Sequence, residues 1–182
     1  DWQYHAFNGS SKWEGKQFDG LRAVFYTGPL LDGEHTGWVS ETELFHYYLI
    51  NGCWNICSHL FLGKKETDLI SSLYSLGGLE SIRGLPDGVI MGSQAAFANF
   101  EIRRLWKITS YTWLQTAGFY DIGSAANYTT KLPSQVESSF GMGLRIYVPH
   151  VTRLMVRFDY AVSTKDPSKH GFSIGMNQFF YQ

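Results

Sequence analysis

The residue types that most often do chemistry are scattered through this chain of 182 residues rather than grouped. The six histidines stand at positions 5, 35, 46, 59, 150 and 170, and none belongs to a His-Glu-x-x-His pair of zinc ligands. A serine, a histidine and an acid could still converge across a sheet, but a protein of this size offers such triples by chance. We therefore expect no catalytic residues, no metal ion and no cofactor.

The two cysteines, Cys53 and Cys57, are four residues apart on a predicted strand. A rise of roughly 3.3 Å per residue would separate them by about 13 Å, which is too far for a disulfide. We expect free thiols that are buried in a sheet, because no other residue supports a metal site here.

The composition limits the classes of protein that this chain can represent. The net charge is −1, so no basic field is present to bind nucleic acid. Charged residues make up 17% of the chain and aromatic residues 16%, against roughly 25% charge in an average soluble domain. No stretch of about 18 apolar residues occurs, so a membrane-spanning form would have to be a β-barrel.

Side chains alternate with a period of two residues, which is typical of β-strands. Between Thr152 and Ser163, apolar residues such as Val156 and Phe158 alternate with polar residues such as Arg157 and Asp159. The pattern predicts eight antiparallel strands: Gly20 to Gly28, Gly37 to Ile50, Cys53 to Lys64, Gly92 to Leu105, Trp106 to Ile122, Phe140 to Tyr147, Thr152 to Ser163 and His170 to Tyr181. Short and long links alternate between these strands, as they do in outer-membrane barrels.

The longest irregular connection spans about residues 66–91. Leu73, Tyr74 and Ile82 interrupt its polar residues, which argues against disorder. A connection of this length in a compact chain is usually functional.

This connection carries the first of several short motifs that resemble a known family. Ile82-Arg83-Gly84-Leu85 resembles the Val-Arg-Gly-aromatic motif in the lumen-inserted sixth loop of the BamA, TamA and FhaC superfamily of outer-membrane proteins. Residues 92–103, 119–123, 157–160 and 172–175 resemble the family's following strands, in the same order. The resemblance implies an all-β transmembrane barrel over residues 1–182, with residues 66–91 as the lumen-inserted loop.

The resemblance also implies a buried ion pair. In the family the loop arginine contacts acidic residues of the barrel wall, and the motifs place these roles on Arg83, Glu101 and Asp121. A buried guanidinium needs such partners, because an unpaired buried charge costs several kcal/mol. Arg103 shares a strand face with Glu101 and is expected to compete for the carboxylates.

Two positions depart from the family pattern. Leu85 replaces the aromatic residue that follows Arg-Gly, so aliphatic packing is expected there. In the closing strand, Gln178 stands where an aromatic residue normally follows Gly175, and Phe179 and Phe180 come after it. This strand, which also contains Phe172, is expected to form one edge of a lateral gate.

Barrel size limits what the chain can form by itself. An eight-stranded barrel is filled by its own side chains and cannot hold a loop of about 25 residues. We therefore expect the C-terminal half of a sixteen-stranded barrel, with two copies in one barrel or a complete small barrel as alternatives.

The function that the resemblance implies is insertion of outer-membrane proteins or passage of polypeptides across an outer membrane, of Gram-negative rather than organellar type. The expected partners are the lipid bilayer, unfolded client polypeptides, and periplasmic domains or accessory lipoproteins. Two alternatives belong to other classes: a barrel anchor for an upstream patatin-like lipase, and a soluble lipocalin-like binding barrel.

Overall fold

The computed structural model describes residues 7–14, 20–32, 35–67, 70–127, 132–147 and 155–176. These residues form eleven β-strands and one 3₁₀ turn at Ile70–Ser72. No helix in these ranges is long and apolar enough to span a membrane. The strands are β1 (Phe7–Glu14), β2 (Gly20–Asp32), β3 (His35–Leu49), β4 (Trp54–Lys65), β5 (Tyr74–Leu76), β6 (Ile90–Gly92), β7 (Gln94–Lys107), β8 (Trp113–Ala126), β9 (Gln135–Tyr147), β10 (Met155–Ser163) and β11 (His170–Met176).

Nine of these strands form one sheet in the order β1-β2-β3-β4-β7-β8-β9-β10-β11. Every pairing in it is antiparallel, which confirms the predicted fold class. The sheet is open in the part of the chain that the structure describes, with β1 and β11 at its edges. Strands β5 and β6 form a separate hairpin within the long connection.

The observed strands differ from the predicted ones in several bounds, in the hairpin β5–β6 of the connection predicted to be irregular, in strand β1 and in the link after β7. Strand β1 was not predicted, because Phe7 and Trp13 are the only apolar side chains in its sequence Phe-Asn-Gly-Ser-Ser-Lys-Trp-Glu; it pairs with β2 along its whole length. The link predicted at Leu105-Trp106-Lys107 lies inside β7, and the turn comes later, between Lys107 and Trp113. The Thr109 hydroxyl explains this position, since it accepts hydrogen bonds from the backbone N–H groups of Tyr111 and Thr112.

The two faces of the sheet differ in polarity. From β3 onward the odd-numbered side chains point to one face, here called the inner face, where the charged residues are buried: Glu101, Arg103, Asp121, Arg145, Arg157 and Asp159. The outer face is apolar and exposed, with Phe172 62% and Met142 75% accessible. A soluble barrel has the opposite arrangement, so the lipocalin-like alternative is not favoured.

The long connection covers the inner face. The β5–β6 hairpin and the residues between its strands pack on the wall through an apolar cluster that contains Leu76, Ile82 and Leu85 of the connection and Phe61 and Ala125 of the wall. We call residues 66–93 the inner loop.

Candidate functional site

Arg83 lies at the centre of the contact between the inner loop and the wall, with no solvent exposure. Its Nε donates to Asp121 Oδ2 at 2.7 Å and its Nη2 donates to Asp121 Oδ1 at 2.6 Å. The backbone N–H of Arg83 adds a third hydrogen bond to the same carboxylate, at 3.1 Å. The planar guanidinium therefore binds Asp121 in a bidentate manner, as an arginine fork can and a lysine cannot.

Glu101 is shared by three arginines. Nη1 of Arg83 donates to its Oε1, and Nε of Arg103 donates to its Oε2 at 2.6 Å. Arg145, from the neighbouring part of the wall, donates from Nη2 to both oxygens at 2.9 and 3.0 Å. Arg103 thus joins the network instead of displacing Arg83.

A third carboxylate completes the cluster. Asp159 Oδ2 lies 3.5 Å from Arg83 Nη1 and 3.8 Å from Arg157 Nε. Arg157 also donates from Nη2 to the carbonyl oxygen of Leu79 in the inner loop, at 3.1 Å. Among the ion pairs of the described residues, the cluster contains four arginines and three carboxylates, a formal excess of one positive charge on buried side chains.

Two further wall residues hold the loop arginine in place. The ring of Phe119 lies under the guanidinium, with 3.5 Å between Cζ and the ring centroid. Asn99 donates from Nδ2 to both Asp121 Oδ1, at 2.8 Å, and the carbonyl oxygen of Ser81, at 2.6 Å. Asn99 therefore connects the wall carboxylate to the loop backbone.

Gly84 brings the inner loop into direct contact with the last two strands. Its φ of +80° is in the region that favours glycine. A Cβ at this position would lie 2.6 Å from the carbonyl oxygen and 2.7 Å from Cβ of Ala161 in β10. A Cβ on Gly171 of β11 would lie 2.9 Å from the carbonyl oxygen of Gly84, so neither position has room for a side chain.

The hairpin end of the inner loop has its own contact with the wall. Tyr74 donates its hydroxyl to Oε1 of Glu41 in β3, at 2.7 Å. Burial, the hydrogen bond to Glu41 and the charge of Glu41 raise the pKa of Tyr74, so the phenol remains the donor. Lys65 Nζ lies 4.2 Å above the Tyr74 ring.

The structure thus brings together Arg83, Glu101 and Asp121, which the sequence placed in one site. Ile82 and Leu85 lie in the apolar cluster, where Leu85 makes aliphatic contacts. In the closing strand, Phe172 is exposed on the outer face and Gly175 packs against Leu79, since a Cβ there would lie 2.6 Å from Leu79 Cδ2. Phe179 and Phe180 lie outside the described residues.

Sequence reasoning did not assign five members to the site: Asn99, Phe119, Arg145, Arg157 and Asp159. Strand parity was the available signal, because all five are odd-numbered residues on β7 to β10, which are consecutive in the sheet. Parity could not supply the register between strands, which decides which odd-numbered residues meet.

The two cysteines occupy different environments. Cys57 is buried on the inner face of β4 and donates to Asn55 Oδ1 at 2.6 Å. Cys53 is exposed in the turn before β4, so the expectation that both thiols are buried is wrong for Cys53. Oδ1 of Asn51 accepts a hydrogen bond from the backbone N–H of Cys53 and stabilises this turn. Both cysteines are free.

Gly171-Phe172-Ser173-Ile174-Gly175 has the spacing of the Gly-x-Ser-x-Gly motif of hydrolases. That motif places its serine on a sharp turn from a strand to a helix. Ser173 instead lies within strand β11, paired with Asp159 of β10. Across the ranges that the structure describes, no three His, Cys, Asp or Glu side chains lie close enough to hold a metal ion.

Comparison with known proteins gives one match. Residues 25–180 match the family described as the Omp85 superfamily domain. No curated protein and no solved structure matches the chain. The matched region includes β3 to β11 and the whole inner loop.

Proposed function

Because this chain belongs to the Omp85 superfamily, an outer-membrane family of protein assembly and translocation, we propose that it inserts client proteins into an outer membrane or passes polypeptides across it. The function needs no reaction catalysed by the barrel. The expected setting is the outer membrane of a Gram-negative cell, and the partners are the bilayer, unfolded clients, and periplasmic domains or accessory lipoproteins.

The contact between the inner loop and the last two strands is the observation that carries this proposal. Gly84 touches β10 and β11, and Leu79 packs against Gly175 of β11. Strand β11 forms an edge of the described sheet. An edge strand presents unpaired backbone groups that can template a client strand, and a loop that holds this edge can stabilise it while it is open.

The size of the inner loop supports a larger barrel. The loop lies on the inner face, and the lumen of an eight-stranded barrel is filled by side chains alone. We infer that the nine strands of the described sheet are too few to close around it. We propose that further strands complete a barrel of about sixteen, supplied by the same polypeptide or by a second copy.

Reconstitution of the full-length protein into phospholipid vesicles tests the function. Client folding is followed with a urea-denatured outer-membrane barrel whose folded form migrates differently on a gel when it is not heated. We expect the client to fold faster than in protein-free vesicles if the protein inserts clients. If it translocates them, an unfolded passenger becomes protected from external protease.

Arg83→Gln is expected to reduce either activity, because it releases the inner loop from the wall. Lys107→Gln is the matched control, since Lys107 is exposed at the end of β7 and lies outside the arginine cluster. Equal client folding and equal protection with and without the protein would contradict the proposal.

A further inference from the structure

In the ranges that the structure describes, the outer face carries one arginine, Arg104, among apolar side chains. Arg104 lies on β7 between Ile102 and Trp106, which are 46% and 38% exposed. Its Cζ lies 3.7 Å from the ring centroid of Trp106 and 5.2 Å from that of Trp54 on β4. Arg104 makes no ion pair with any carboxylate in the described ranges, so its charge is not neutralised by the nearby wall.

The position of Arg104 along the strand places it at one boundary of the apolar band. Lys64, an exposed cation on the same face of β4, pairs in register with Gln94, ten residues before Arg104 on β7. Ten residues span about 33 Å along a strand, and a tilt of roughly 40° reduces this to about 25 Å across the membrane. That height equals the apolar band of a transmembrane barrel, so the two cations mark its two boundaries.

The boundary at Arg104 is the one with the short turns. The link between β3 and β4 and the link between β7 and β8 both leave the sheet there, with four and five residues. At the other end lie the inner loop and the links of eight and six residues after β8 and β10. The two-residue link between β2 and β3 is also at that end, but it closes a hairpin that extends beyond Lys64, whose partner on β3 is Ser40. Short turns face the periplasm in outer-membrane barrels, where the leaflet consists of phospholipids. Tryptophans such as Trp54 and Trp106 concentrate at the same depth, next to the lipid headgroups.

Donors for a phosphate converge at this position. A guanidinium that lies over an aromatic ring contacts the ring with the flat face of the guanidinium. The N–H groups point outward in the guanidinium plane and remain available to donate hydrogen bonds. Thr116 of β8 is directly opposite Arg104 in the register. Its hydroxyl accepts a hydrogen bond from Trp106 Nε1 at 3.2 Å, which leaves the hydroxyl proton free to be donated.

We propose that Arg104, together with Thr116 and the two tryptophans, binds the phosphate of an anionic phospholipid in the leaflet next to the short turns. An anionic headgroup such as phosphatidylglycerol neutralises the arginine, whereas phosphatidylethanolamine carries its own ammonium. The inference rests on the proposed insertion of the barrel into a membrane. It does not depend on which client the protein handles.

Native mass spectrometry of the full-length protein, released from detergent with defined lipid, measures this binding. The wild-type protein is expected to retain phosphatidylglycerol about fivefold better than phosphatidylethanolamine, the preference that one basic contact at a membrane surface provides. In Arg104→Gln the ratio is expected to fall to about one, since the charge that provides the preference is gone. Arg104→Lys, which keeps the charge but loses the planar stacking, is expected to lie between them.

Lys107→Gln separates a specific site from general attraction to basic residues at the same boundary. It is expected to keep the wild-type ratio, and an equal loss in Lys107→Gln and Arg104→Gln would overturn the proposal. An unchanged ratio in Arg104→Gln would overturn it too. Heat-dependent gel migration shows that each variant is folded, and client folding is measured separately, so failure of the lipid site is distinguishable from failure of the proposed function.

Discussion

Replacing Arg83 by glutamine removes the residue that holds the inner loop to the wall. Glu101 would keep Arg103 and Arg145 as partners, but Asp121 would keep, among the described residues, Asn99 and the backbone N–H of residue 83. Removing one member of a buried ion pair costs about 3–5 kcal/mol, because the other charge stays buried without its partner. We expect Arg83→Gln to lower the free energy of unfolding by an amount in this range.

The charge balance of the cluster makes the test sharper. Asp121→Asn leaves four arginines with two carboxylates, which raises the excess positive charge from one to two. The double variant has three arginines and two carboxylates and returns the excess to one. The two substitutions are therefore expected to cost less together than the sum of their separate effects, with a coupling energy of about 0.5–3 kcal/mol.

Denaturant-induced unfolding of the vesicle-inserted protein, followed by heat-dependent gel migration, measures the stability of the wild type, the two single variants and the double variant. Arg83→Lys is the matched control for charge, since it keeps the cation but cannot bind Asp121 through two parallel hydrogen bonds. It is expected to recover only part of the loss. Additive single effects, or an Arg83→Gln variant within about 0.5 kcal/mol of wild type, would refute the argument that this network stabilises the fold.

Three other predictions follow from local geometry. Gly84→Ala should destabilise the fold by about 1–3 kcal/mol more than Gly88→Ala in denaturant unfolding. Both glycines have a positive φ, but only Gly84 lacks space for a Cβ. Equal losses would show that the close contact with β10 does not contribute to the cost. Tyr74→Phe should cost about 1 kcal/mol by removing the hydrogen bond to Glu41 without changing the packing, and a neutral result would contradict the role of this contact. In the folded protein Cys53 should react with a maleimide within minutes while Cys57 reacts only after unfolding, as mass spectrometry would show; fast labelling of Cys57 would place it outside the sheet interior.

Much of the wall was predictable because strand alternation is a local property. Each residue of β10 is assigned to a face by its position relative to its neighbours, and this needs no knowledge of other strands. Strand β1 was not predictable in this way, since its formation depends on pairing with another strand, β2. The turn after Lys107 was misplaced because its position depends on the side chain of Thr109 rather than on alternation.

The candidate site was only partly predictable, for a related reason. Arg83, Glu101 and Asp121 came from motif resemblance, and the structure brings them together. Asp159 and Arg145 come from distant strands, and only the register places them beside the inner loop. Alternation also left open which face is inside, and this became clear from the loop that covers the polar face.

The arginine cluster also has a consequence for the order of folding. Arg83 is 18 residues from Glu101 in the chain, 38 from Asp121 and 76 from Asp159. Contacts between residues so far apart form late, because the chain between them must first be ordered. If the strands form in sequence, the inner loop precedes β7 and β8 in the chain, and the carboxylates of these strands stay hydrated until the loop docks on the wall. The cluster is complete only after β10 is in place. Closure of the cluster would then mark the time at which this part of the wall has finished folding.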